Sequence, residues 1–126
     1  MSTEELIAAL KNGSGMARAR AASELGQQRD AKGIPALHDA LADKNPTVRS
    51  NAAFALGELD DRTAIVKLIA LLDDEDQWVR KSTAKALGLL RAHEAVPALE
   101  KAAHDTSEQV QRNARRSLEQ IKEAWI

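Results

Sequence analysis

Thr47-Val48-Arg49-Ser50-Asn51-Ala52-Ala53-Phe54-Ala55-Leu56-Gly57 and Trp78-Val79-Arg80-Lys81-Ser82-Thr83-Ala84-Lys85-Ala86-Leu87-Gly88 lie 31 residues apart and share one frame. The frame runs on in both directions. Val110 continues Val48 and Val79, Leu25 and Leu118 flank Leu56 and Leu87, and Gly26 precedes Gly57 and Gly88 at the same step. Ile34, Ile65 and Val96 keep it too, as do Leu6, Leu37, Leu68 and Leu99. A fixed period of this size marks an architecture whose units bury their apolar faces only against neighbouring units.

Each period holds two helical patterns around a polar turn. In the second period they run from Ile34 to Ala42 and from Val48 to Leu59, with Asp43-Lys44-Asn45-Pro46 between them. Pro35, Pro46 and Pro97 fall at helix openings, where a missing N–H is harmless. Ser2 and Glu5 have the spacing of a capping box. Gly13-Ser14-Gly15 reads as a turn, because it lacks the Lys-Ser/Thr and the preceding strand of a phosphate-binding loop. The expected fold is all-α: eight helices in four hairpins, residues 1–29, 30–60, 61–91 and 92–126, forming one repeat domain.

Composition agrees. With one Phe, two Trp and no Tyr in 126 residues, the core must be Leu, Ile, Val and Ala, which lets helices approach closely. Eighteen basic and 19 acidic residues give a net charge of −1, so nothing pulls the whole chain toward nucleic acid or an anionic membrane. The absence of cysteine excludes disulfides, thiolate metal sites and a cysteine nucleophile. The first residues show neither a basic leader nor an apolar run, and no stretch reaches the ~20 apolar residues of a membrane span. A soluble, cytoplasmic, monomeric protein is expected.

The two quoted strings resemble HEAT repeats, most of all the short subtype called PBS-lyase HEAT-like, and the resemblance covers essentially the whole chain. It implies a right-handed α-solenoid whose second helices line a concave groove. It also implies that the acid and arginine pairs Asp43/Arg49 and Asp74/Arg80 belong to a structural ladder between neighbouring repeats. The end copies of that pattern are incomplete, with Asn12 before Arg18 and Asp105 before Gln111.

On a wheel of 100° per residue, Val48, Ala52, Ala55, Leu56 and Leu59 form one apolar stripe, and Ser50, Asn51, Phe54 and Glu58 cluster with Thr47 on the opposite side. The ends depart from the frame on opposite edges. Arg115 and Glu119 replace an alanine and the glycine in the last hairpin, while Glu24 and Gln28 replace an alanine and a leucine in the first. Polar ends of this kind suit a stack finished on both sides.

The solvent stripe of the second helices is the candidate binding surface. It comprises Met16, Ala19, Arg20, Ser23 and Gln27; Thr47, Ser50, Asn51, Phe54 and Glu58; Trp78, Lys81, Ser82, Lys85 and Leu89; Gln109, Arg112, Asn113, Arg116 and Gln120. Arg20, Lys81, Lys85, Arg112 and Arg116 face a single acid, Glu58, and the stripe holds the only Phe and one of the two Trp. Aromatic and arginine side chains are the usual anchors of interfaces. The function this points to is a non-catalytic module that binds an acidic and hydrophobic segment of another protein.

Two other functions are compatible with the sequence: nucleic-acid binding in a basic groove, and a subunit of a phycobilin lyase, after which the subtype is named. No cofactor or metal is called for. His38, His93 and His104 are spread over first helices without ligand spacing. Deoxyhypusine hydroxylase, an enzyme of HEAT architecture, holds iron through repeated His-Glu pairs; here the dipeptide occurs once, as His93-Glu94.

Overall fold

In the computed structural model, which describes residues 1–125, the 31-residue step closes into helical hairpins. The pairs are α1 (Thr3–Asn12) with α2 (Gly15–Gln28), α3 (Ile34–Ala40) with α4 (Pro46–Glu58), α5 (Ile65–Leu71) with α6 (Gln77–Leu89), and α7 (Val96–Ala102) with α8 (Glu108–Ala124). No strand occurs among the described residues. The Ser2–Glu5 capping box opens α1, Ser14 caps α2 through the amide of Ala17, and Pro46 starts α4 behind an Asn45 cap.

The first helices are shorter than their apolar patterns. α3 stops at Ala40 and not Ala42: Leu41, Ala42 and Asp43 donate to the carbonyls three residues back, and Asp43 then turns the chain by accepting the Asn45 N–H at 2.8 Å. The same turn recurs as Asp74 with Asp76 and Asp105 with Ser107. At the other end of the hairpin the chain leaves its second helix through a left-handed residue, Arg29, Asp60 or Arg91. A one-turn 3-10 segment then leads into the next first helix.

Leu25, Leu37, Leu56, Leu68, Leu87 and Leu99 are wholly buried between the two helix layers. The layers are packed unequally. Successive second helices lie flat against one another, whereas successive first helices barely meet. Small residues allow the close layer: a Cβ on Gly26 would fall 2.7 Å from the Cα of Ala55, and one on Gly57 would fall 3.0 Å from the Cα of Ala86. A stack tighter in one layer curves toward it, so the second helices line the inside. In the first and last hairpins the frame changes: Glu119 and Arg115 are exposed on α8, and the exposed Gln28 on α2 donates to the carbonyl of Met1 in its own hairpin.

Asp43, Arg49, Asp74 and Arg80 join the hairpins along one edge. Each arginine grips the carboxylate of the following hairpin with two N–H groups: Arg18 on Asp43 at 2.9 and 3.0 Å, Arg49 on Asp74 at 3.0 and 3.0 Å, and Arg80 on Asp105 at 2.9 and 3.1 Å. The acid six residues before an arginine offers it only a main-chain carbonyl, as Asp43 does to Arg49. The end copies therefore leave no rung unmade. Gly13 supplies the carbonyl for Arg18, and Gln111 donates to the carbonyl of Asp105 as an arginine would.

The rungs make stability depend on acid. Hydrogen bonds from Arg18 hold the Asp43 carboxyl below its ordinary range. Burial pushes Asp105 upward, but the hydrogen bonds from Arg80 and the Ser107 amide outweigh it and leave that carboxyl lowered as well. A lowered carboxyl contributes stability that is complete above its unfolded value of about 3.9 and is lost as pH falls through the lower folded value. Urea midpoints are therefore expected to hold from about pH 5 to 8 and to drop below about pH 4. The drop should be shallower in Asp43→Asn, which has one fewer such group to protonate.

Candidate partner-binding groove

The inner face is floored by hydrogen bonds of the stack itself. The Asn51 amide donates to the carbonyl of Ala19 at 2.8 Å, and the Asn113 amide to that of Lys81 at 3.2 Å. The Ser50 and Ser82 hydroxyls meet at 2.6 Å. These bonds draw α2, α4, α6 and α8 together, which leaves Ala19 buried and Ser50, Asn51, Ser82 and Asn113 half-buried. Ala19 is thus no part of the open stripe, because α4 covers it.

Above this floor stand the side chains a partner could touch. Met16 is 77% exposed and Trp78 50%, and Arg20, Thr47, Lys85, Leu89, Arg112 and Arg116 are exposed too. Phe54, Glu58 and Lys81 are half-buried. Each aromatic has a lysine at its face: Lys85 Nζ lies 5.1 Å from the Phe54 ring centre and Lys81 Nζ 5.2 Å from that of Trp78. Both fall within cation–π range. Glu58 is the one acid here, and burial raises its carboxyl above the ordinary range against the pull of Arg29 and Lys85.

Charge is unevenly divided along the groove. The groove positions of α2 and α4 carry Arg20 against Glu58, while those of α6 and α8 carry Lys81, Lys85, Arg112 and Arg116 with no acid among them. Lys81, Arg112 and Arg116 border a shallow depression between α6 and α8, together with Gln109 and Asn113. Arg112 also lies 3.8 Å from Glu108, one turn earlier on the same exposed face.

The sequence did not separate polar residues that face a partner from those that bind the stack. One signal was available: Asn51 and Asn113 occupy the same frame position two periods apart, as a recurring structural amide would. His38 is half-buried. On the outer side its Nε2 lies 2.6 Å from Asp61, a buried carboxylate, and its Nδ1 lies 3.1 Å from Lys67 Nζ. His93 packs edge-on against Trp125 with ring centres 4.6 Å apart. Among the described residues, no three His, Asp or Glu side chains gather as metal ligands would.

The chain belongs to the HEAT-repeat family. The family model described as HEAT repeats matches residues 3–82 and again 65–124. Three solved structures share the fold. Human deoxyhypusine hydroxylase in complex with glycerol is 25% identical with a TM-score of 0.78, over 97% of this chain and 44% of that one. An engineered protein is 25% identical with a TM-score of 0.79, over 96% and 63%. The complex of CpcE and CpcF of phycocyanin lyase from Nostoc sp. PCC7120 is 24% identical with a TM-score of 0.71, over 98% and 66%. The chain thus spans less than half of the hydroxylase it matches. No curated protein sequence matches it. Among the described residues no helix is long and apolar enough to cross a membrane.

Proposed function

We propose that this chain is a non-catalytic module that binds another protein along the face formed by α2, α4, α6 and α8. The observation that carries this reading is the placement of Phe54 and Trp78. Leucine, valine and alanine fill the core, yet the only Phe and one of the two Trp stand on the inner face beside lysines. A HEAT stack is a scaffold fitted to protein interaction, and its fixed frame here carries groove residues that differ from hairpin to hairpin. Aromatic anchors at such a surface are often worth about 2 kcal/mol or more on truncation.

The test is the double variant Phe54→Ala/Trp78→Ala. It should lose partner capture from native lysate while keeping its helical circular dichroism and most of its thermal stability. A variant that unfolds instead would make these rings part of the core and remove the groove as a site.

A further inference from the structure

The proposed groove is made of two unlike halves. Met16 and Phe54 give the α2–α4 half an apolar character, and its groove positions hold one cation, Arg20, and one acid, Glu58. Of the four groove cations on α6 and α8, Lys85 leans to Phe54 and Glu58 on α4, while Lys81, Arg112 and Arg116 border one depression, with Glu108 3.8 Å from Arg112. Trp78, on α6, lies between the two. Like charges crowded in one depression are relieved by an anion that enters it.

Building on the protein-binding reading, we infer that the occupant is an extended segment of a partner protein with its apolar and acidic residues apart. Its apolar residues rest on Phe54 and Trp78, and its carboxylates on Arg112 and Arg116 of α8. Spacing follows from the stack. Neighbouring helix axes lie about 8–10 Å apart, and an extended chain advances about 3.3 Å per residue. From α6 to α8 is one helix step, or about three residues; from α4 to α8 is two, or about six. The apolar anchor and the acids of the segment are therefore separated by about three to six positions.

A nucleic-acid strand fits this surface less well. Its phosphates need a continuous basic track, and the groove positions of α2 and α4 hold one cation and one acid. Base stacking needs aromatic faces along the strand, and the groove positions of α8 hold none. The amides of Asn51 and Asn113 each donate one hydrogen bond into the stack.

Fluorescence anisotropy with labelled synthetic peptides tests the inference. One peptide carries Leu-Phe, a Gly-Ser-Gly spacer and Glu-Glu-Asp, made in both orders; a second has the same composition with apolar and acidic residues interleaved; a third has Gln and Asn for the acids. The separated peptide, in at least one order, should bind the wild type about ten-fold tighter than the other two, a difference of about 1.4 kcal/mol. Arg112→Glu/Arg116→Glu should lose that binding and gain affinity for the peptide with three lysines in place of its acids. Arg112→Gln/Arg116→Gln supplies a milder loss if the reversed charges disturb folding.

Equal affinity for separated and interleaved peptides overturns the two-part order. No binding of the separated peptide, while Phe54/Trp78-dependent capture persists, overturns this segment and leaves the groove standing; loss of both removes the groove as well. Tighter binding of oligo-dT, sensitive to the same arginine substitutions, overturns the choice of a protein segment.

Discussion

Replacing Leu56 by alanine is expected to destabilise the protein by about 2–5 kcal/mol, the range for a large buried aliphatic side chain cut to a methyl group. Leu56 has no exposed surface and lies on α4, which packs on α2, α3 and α6. The cavity would open where both helix layers and two hairpin junctions meet, so collapse in one direction strains another. A domain of this size is stable by only about 5–15 kcal/mol, so one substitution removes a large share. Hairpins without neighbours cannot bury their apolar faces, and the loss should reach the whole stack. Circular dichroism and tryptophan fluorescence, from Trp78 and Trp125, should move together in urea, with the midpoint lowered and the slope unchanged. Leu118→Ala is the internal comparison. It holds the same frame position on the last helix but is only partly buried, and it should cost clearly less. Separate transitions for the two probes would show that the hairpins do not unfold as one unit.

The contrast between Leu56 and Leu118 shows why the frame was legible and part of the surface was not. Leucine, valine and glycine recur because every hairpin faces the same packing problem, and a period of 31 exposes that repetition without any structure. Helix lengths were less legible, since Leu41 and Ala42 continue the apolar pattern while the chain already tightens into a turn there, ahead of the Asp43 side chain that accepts the Asn45 amide. Within the groove, polarity alone cannot say whether an amide points at solvent or at the next helix. Asn51 and Arg20 share a frame position, yet the short amide of Asn51 reaches the carbonyl of Ala19 on α2 while Arg20 is exposed. The outer cluster of His38, Asp61 and Lys67 was invisible for a similar reason. Its members come from two hairpins, and no period connects them.

Gly26→Val is expected to destabilise by about 3 kcal/mol, at the upper end of what overpacking costs. Helix propensity alone predicts the opposite sign for small substituents, since alanine is favoured over glycine by about 1 kcal/mol inside a helix. Packing decides the outcome. A Cβ on Gly26 would meet the Cα and Cβ of Ala55 at 2.7 Å, and backbone cannot step aside as a flexible side chain can. The γ methyls of valine would then drive α2 away from α4. Gly57→Ala is milder, because its Cβ would meet Ala86 at 3.0 Å and a shift of a few tenths of an ångström suffices. Glu119 holds the same frame position on α8 with no helix packed over it, so Glu119→Val should leave urea stability within about 0.5 kcal/mol. The readout also reaches the groove. Parting α2 from α4 stretches the bond from Asn51 to Ala19, so backbone amides of α2 should exchange hydrogen faster in Gly26→Val. The α6–α8 half, held by Asn113 on Lys81 and by the Arg80–Asp105 rung, should keep its protection. Uniform acceleration across all four second helices would instead mean that the stack loosens as one body, and that the glycines set its spacing jointly.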